Sequence, residues 1–121
     1  MVNIVVGLIK LQQQIRVLHW QTRYFSRHKA FGEAYDALQD LIDTLVETYQ
    51  GKNDRLIFQH STIDLLDIDD FKLTELLDTT LASLNTEFPA IVDPIKDTDL
   101  LNIRDEITGF INKFKYLLTL K

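Results

Sequence analysis

The sequence predicts an all-α protein, one bundle of four helices with a long crossover between the second and third. Three observations carry this. Only 4 glycines and 2 prolines interrupt the 121 residues, which suits long helices better than strands and turns. Four stretches repeat their apolar residues at helical spacing, about 3–25, 27–50, 71–87 and 99–119. Between the second and third of these, Lys52 to Ile68 has no such pattern. A connection of that size is what a crossover along a bundle requires, whereas an up-and-down bundle needs none. The whole chain, residues 1–121, is expected to form one domain.

In the first helix Ile4, Leu8, Leu11, Ile15 and Leu18 make one apolar stripe, a core face. Val6, Ile9, Val17 and Trp20 make a second stripe well round the helix. A small bundle buries one face of each helix, so the second predicts cover by another subunit. Ser26 is placed as N-cap of the second helix and Gly51 as its stop. The core stripe there is Phe31, Leu38, Ile42, Leu45 and Tyr49, with Tyr35 beside it. At ~100° per residue, Asp36, Asp43 and Glu47 share a separate stripe that points to the flank of the bundle, not its middle. Gly32 sits mid-helix at a cost of roughly 1 kcal/mol relative to alanine and permits a neighbour to approach closely. Asp69 or Asp70 is expected to cap the third helix, whose inward residues are Leu73, Leu76, Leu77, Leu81, Leu84 and Phe88. Pro89 and Pro94 bracket a short linker, and Asp97 or Thr98 caps the fourth helix.

Composition narrows the function. The absence of cysteine removes disulfides, thiolate metal sites and cysteine nucleophiles, and fits a reducing compartment. No stretch reaches membrane-span length, and Met1 to Val6 lacks the basic start of a signal peptide. The expectation is a soluble cytoplasmic protein. A net charge of -5 argues against nonspecific nucleic-acid binding. Arg16, Arg23, Arg27 and Lys29 around the first turn are read as solvated helix ends, with a small anion or nucleic-acid patch as the alternative.

Ligand-type side chains concentrate between His19 and Glu47. Asp43 and Glu47 lie one turn apart on one face, so both reach a single ion. With His19 and His28 the set suits iron, manganese or zinc. Taken as composition alone, the acidic pair also fits a solvated helix face, and the histidines fit helix-end or hydrogen-bonded residues.

His19-Trp20 near the end of one helix, His28 at the start of the next, and Asp43 and Glu47 at 15 and 19 residues beyond His28 resemble the Dps-type mini-ferritins. The match covers about the first 50 residues. The chain also looks like short ferritin-like proteins of phages and large viruses. The resemblance implies a ferritin-like bundle and an iron site between two subunits, with His19 and His28 from one and Asp43 and Glu47 from its twofold mate. It implies a homo-oligomer, a dimer at minimum and a cage at most. It implies ferroxidase chemistry, in which Fe(II) is oxidised by peroxide or oxygen and stored or detoxified, in the host cytoplasm if the chain is viral. Trp20 would be the aromatic beside the site, or a buried interface anchor. The family carries an aspartate four residues after the second histidine, where this chain has Gly32; Asp36 and Glu33 are nearby at other helical angles. The turn between the histidines is also three residues shorter, and the basic N-terminal tail is missing. The reading from another class is a metal-free ferritin-like bundle that serves as an oligomeric structural or interaction module.

Overall fold

A computed structural model describes residues 1–120. α1 spans Val2–Gln21, α2 Phe25–Lys52, α3 Asp70–Ala82, α4 Phe88–Ala90 and α5 Thr98–Leu117. A π-helical turn, Ser83–Glu87, joins α3 to α4, and the backbone stays right-handed helical at each junction. The four rods are therefore α1, α2, residues 70–90 and α5. α1 packs on α2 and α3, and α5 packs on the same two.

The first stripe of α1 is buried as its spacing predicts, with Leu8, Leu11 and Ile15 fully inside. They meet Leu38 and Leu45 of α2, Leu73 and Leu77 of α3, and Ile107 and Ile111 of α5 in one core. Phe31 and Phe114 close it edge to face, centroids 6.1 Å apart. The second stripe of α1, expected to need cover from another subunit, is largely covered within the chain, and only its last member stands open. Val6, Ile9 and Val17 are half-buried and Trp20 is 64% exposed.

Several predicted boundaries need correction. α1 stops at Gln21, not near Phe25. Thr22 turns extended, and its hydroxyl accepts the Tyr24 N–H at 3.3 Å, a local bond that competes with the helix. Tyr24, not Ser26, is the N-cap of α2, and it offers no side-chain cap. Gly51 lies inside α2. The stop is Asn53, whose backbone N–H and side-chain amide both donate to the Tyr49 carbonyl. Asp69 caps α3 as expected, accepting the Lys72 N–H at 2.9 Å.

Pro89 is not in a linker but inside the helical rod. A proline there lacks the N–H that would reach the Asn85 carbonyl, and its ring crowds that carbonyl. The preceding turn widens to π geometry, so the Phe88 N–H donates to Ser83 rather than Leu84. The freed Leu84 carbonyl accepts Arg104 Nη1 of α5 at 3.2 Å, and the guanidinium rests 5.9 Å from the Phe88 ring.

Residues 53–69 return the chain from one end of the bundle to the other. The Leu56 N–H donates to Gln50 at the start. At the far end Gln14, 2% exposed, donates to the Leu66 carbonyl at 2.7 Å and accepts the Leu66 N–H at 3.1 Å. Arg27 then joins three elements there, pairing with Asp70 at 3.2 Å and donating to the Leu118 carbonyl at 3.0 Å.

Lys52 closes the opposite end. Its Nζ reaches Asp97 Oδ1 at 2.8 Å, Asp99 Oδ1 at 2.7 Å and the Lys96 carbonyl at 2.6 Å. The bonds to Asp97 and then Asp99 raise the lysine above its ordinary 10.5. Asp97 is held below 3.8 by the Asp93 N–H and then by Lys52, and Asp99 by Lys52. The carboxylate contribution is thus complete above pH 3.8 and is lost as pH falls through the lowered folded values. The ammonium contribution is complete below 10.5 and is lost as pH rises through the raised value. Lys52→Met will lower the urea midpoint at neutral pH, and its gap to wild type will narrow as pH falls below 3.8. A gap that stays constant through that range would show that the ion pairs do not stabilise this end.

Candidate functional site

The last turn of α1 and the first turns of α2 run side by side, so residues nine apart in sequence meet across the turn. His19 Nδ1 lies 2.6 Å from the His28 carbonyl, and His28 Nδ1 lies 2.7 Å from the His19 carbonyl. A carbonyl oxygen only accepts, so both Nδ1 atoms carry the hydrogen. In the neutral rings that leaves the lone pair on each Nε2, the arrangement in which imidazole binds a metal.

The rings stack, with centroids 3.8 Å apart and planes tilted by 17°. An ion held by both Nε2 atoms would have to lie in both ring planes. Planes so arranged meet only on the order of 10 Å away, against ~2 Å for a metal–imidazole bond. The two rings therefore cannot share one ion as they stand. Each addresses its own position.

Gly32 explains how His19 comes so close to α2. A Cβ built there would lie 3.0 Å from His19 Cε1 and 3.2 Å from Nδ1. The ring thus fills the space where any other residue would carry its side chain. The sequence marks Gly32 as a place of close approach; the neighbour turns out to be the histidine itself.

Beside the ring opens a cleft of about 320 Å³ lined by Arg16, His19, Trp20, Gly32, Tyr35 and Asp36. Arg16 lies 4.9 Å from the Trp20 ring and 5.2 Å from the Tyr35 ring, and donates to the Tyr35 hydroxyl at 3.2 Å. Sequence reasoning missed this sandwich. Its signal was the helical spacing of Arg16 and Trp20 on the outer side of α1.

Asp43 and Glu47 are exposed on α2. At 1.5 Å per residue they stand ~22 and ~28 Å along the helix from His28. One chain stacks His19 on His28 and sets His19 beside Trp20 and Asp36 in the cleft, but leaves Asp43 and Glu47 apart. Among the described residues, no three histidine, aspartate or glutamate side chains cluster closely enough to hold an ion.

Comparison with known proteins adds relatives. A family of unknown function (DUF5856) matches residues 19–118. An uncharacterized 14.6 kDa protein encoded in the mobD-ri intergenic region of Enterobacteria phage T4 is 31% identical over 116 residues, covering 94% of this chain and 84% of that protein. No solved structure matches.

The glycines separate packing from propensity. Gly7, Gly51 and Gly109 are helical with nothing within 4 Å of an added Cβ, so alanine at each will stabilise by up to ~1 kcal/mol. Gly32→Ala will forfeit that gain and displace the His19 ring. Urea unfolding of the four variants, with ¹⁵N spectra of the imidazoles, checks this. A Gly32→Ala protein as stabilised as the others, with both Nδ1–H bonds intact, would disprove the packing argument.

Proposed function

We propose that this chain, which belongs to the family of unknown function DUF5856, is a ferritin-like bundle that binds Fe(II) between two copies of itself. The observation that carries the proposal is the paired Nδ1–H bonds of His19 and His28, which present two bare Nε2 atoms at one end of α2. Asp43 and Glu47 stand on the same helix's outer flank, more than 20 Å away by helix rise. An antiparallel twofold pairing of the α1–α2 faces puts the histidines of one copy against Asp43 and Glu47 of the other. It also covers Trp20 and the half-buried outer stripe of α1. The crossover between α2 and α3 supports the ferritin-like assignment.

Iron is the substrate here. The stacked planes allot one ion to each imidazole, and the carboxylates supply the hard oxygen donors that favour Fe(III). Two Fe(II) ions together give up two electrons, which is what reduces peroxide to two hydroxides without leaving a radical. Arg16 and Tyr35 hold the exposed Trp20 at the mouth of the cleft. The same donors also take manganese or zinc. The setting proposed is the cytoplasm of a phage host, given the T4 relative. No described helix is long and apolar enough to cross a membrane.

A second reading has its own observation. Gly32 stands where a ligand carboxylate is expected, and the His19 ring occupies its space. The two histidines then act as a clasp across the α1–α2 turn, and the protein is a metal-free oligomeric module. Native mass spectrometry before and after anaerobic Fe(II) loading decides between them. The iron proposal expects at least a dimer that takes up one or two ions per chain, and loss of that uptake in Asp43→Ala/Glu47→Ala with the assembly retained. An assembly that takes up no iron leaves the clasp reading. Uptake unchanged in the double variant places iron elsewhere.

A further inference from the structure

We infer that the bundle end carrying the α1–α2 turn is a second self-association surface, and that the occupant of each turn is the acidic end of the crossover in another copy. The charge of this chain is sharply divided along its length. Residues 1–32 hold 5 of the 13 Lys and Arg and none of the 18 Asp and Glu. The remainder, with 8 bases and 18 acids, carries a net of -10, which with +5 gives the total of -5.

The turn gathers three of those five bases, Arg23, Arg27 and Lys29, with apolar surface. Tyr24 is 73% exposed and Phe25 79%, and Arg23 and Lys29 beside them are exposed with no carboxylate partner among the described residues. Adjacent exposed aromatics of this size mark a contact surface.

The complement lies at the same end of the molecule. Asp64, Leu65, Leu66 and Asp67 are all exposed, and neither aspartate has a cationic partner among the described residues. The Gln21–Asp67 bond at 2.6 Å and the Arg27–Asp70 pair at 3.2 Å fix this strip beside the turn. Gln14 clamps Leu66 through both backbone groups, so the strip is already held in place and binding orders little new chain.

Basic-aromatic turn and acidic-apolar strip match in both charge and apolar character. Because each copy carries both at one end, a twofold pairing makes both contacts at once. A polyanion such as nucleic acid would meet the turn's cations but also the strip's carboxylates, which disfavours it. The surface needs no iron. It extends the flank pairing proposed above, since two different self-interfaces on one chain build an assembly larger than a dimer.

Native mass spectrometry of the full chain tests this. Wild type is expected to show species above the dimer that diminish as salt rises. Arg23→Glu/Lys29→Glu is expected to lose every species above the dimer while keeping a wild-type circular dichroism spectrum. Adding Asp64→Lys/Asp67→Lys to that variant restores the pairing with its charges exchanged, and the larger species return. Dimers in all three proteins overturn this inference and leave the flank pairing standing; monomers in all three overturn both. Failure of the exchanged variant to reassemble, with its fold intact, also overturns it. So does wild-type binding of a labelled single-stranded oligonucleotide or of anionic vesicles that is lost in Arg23→Glu/Lys29→Glu without any change in mass.

Discussion

The α1–α2 hairpin depends on how near a histidine ring can come to a helix backbone. His19 reaches α2 because Gly32 offers no side chain, and at that distance its Nδ1–H finds the His28 carbonyl. The reciprocal bond from His28 then follows from the same spacing. These bonds are worth on the order of 1 kcal/mol each, modest beside the burial of Leu8, Leu11 and Ile15. Their effect is one of register. They fix where along α2 the end of α1 sits, and so where the Arg16–Trp20–Tyr35 stack and the mouth of the cleft lie.

The opposite side of the bundle follows a comparable logic. Pro89 inside a helix would ordinarily break it. Here the widened turn before it releases the Leu84 carbonyl, and Arg104 takes that carbonyl from α5. The local defect becomes a contact between rods, and Phe88 is fully buried beneath the same guanidinium.

Much of this could be read from residues alone. The inward stripe of α1 was visible because Ile4, Leu8, Leu11, Ile15 and Leu18 repeat at 3 and 4, and Asp69 was visible as a cap because its side chain acts three residues ahead. The π turn was not. Leu81, Leu84 and Phe88 keep helical spacing straight through it, while Pro89 alone suggested an end. For the candidate site, residue types and faces were readable: Asp36, Asp43 and Glu47 are exposed on α2 as their angles predict. The state of the histidines was not, since it is set by backbone carbonyls nine residues away. Trp20 was placed on an outer stripe, but the cation held against it depends on Tyr35 from the neighbouring helix.

Gln14 has a consequence of a different kind. Its amide meets Leu66 as one strand meets another, donor to carbonyl and carbonyl to donor. That contact recognises peptide groups and is indifferent to the side chain that residue 66 carries. Residue 66 is therefore free to change while its place is kept by a buried amide of the first helix, whereas Asp67 and Asp70 beside it are held through their own side chains by Gln21 and Arg27. A chain of this architecture that changes residue 66 still passes the same point of α1, provided position 14 retains a side chain that imitates a peptide bond.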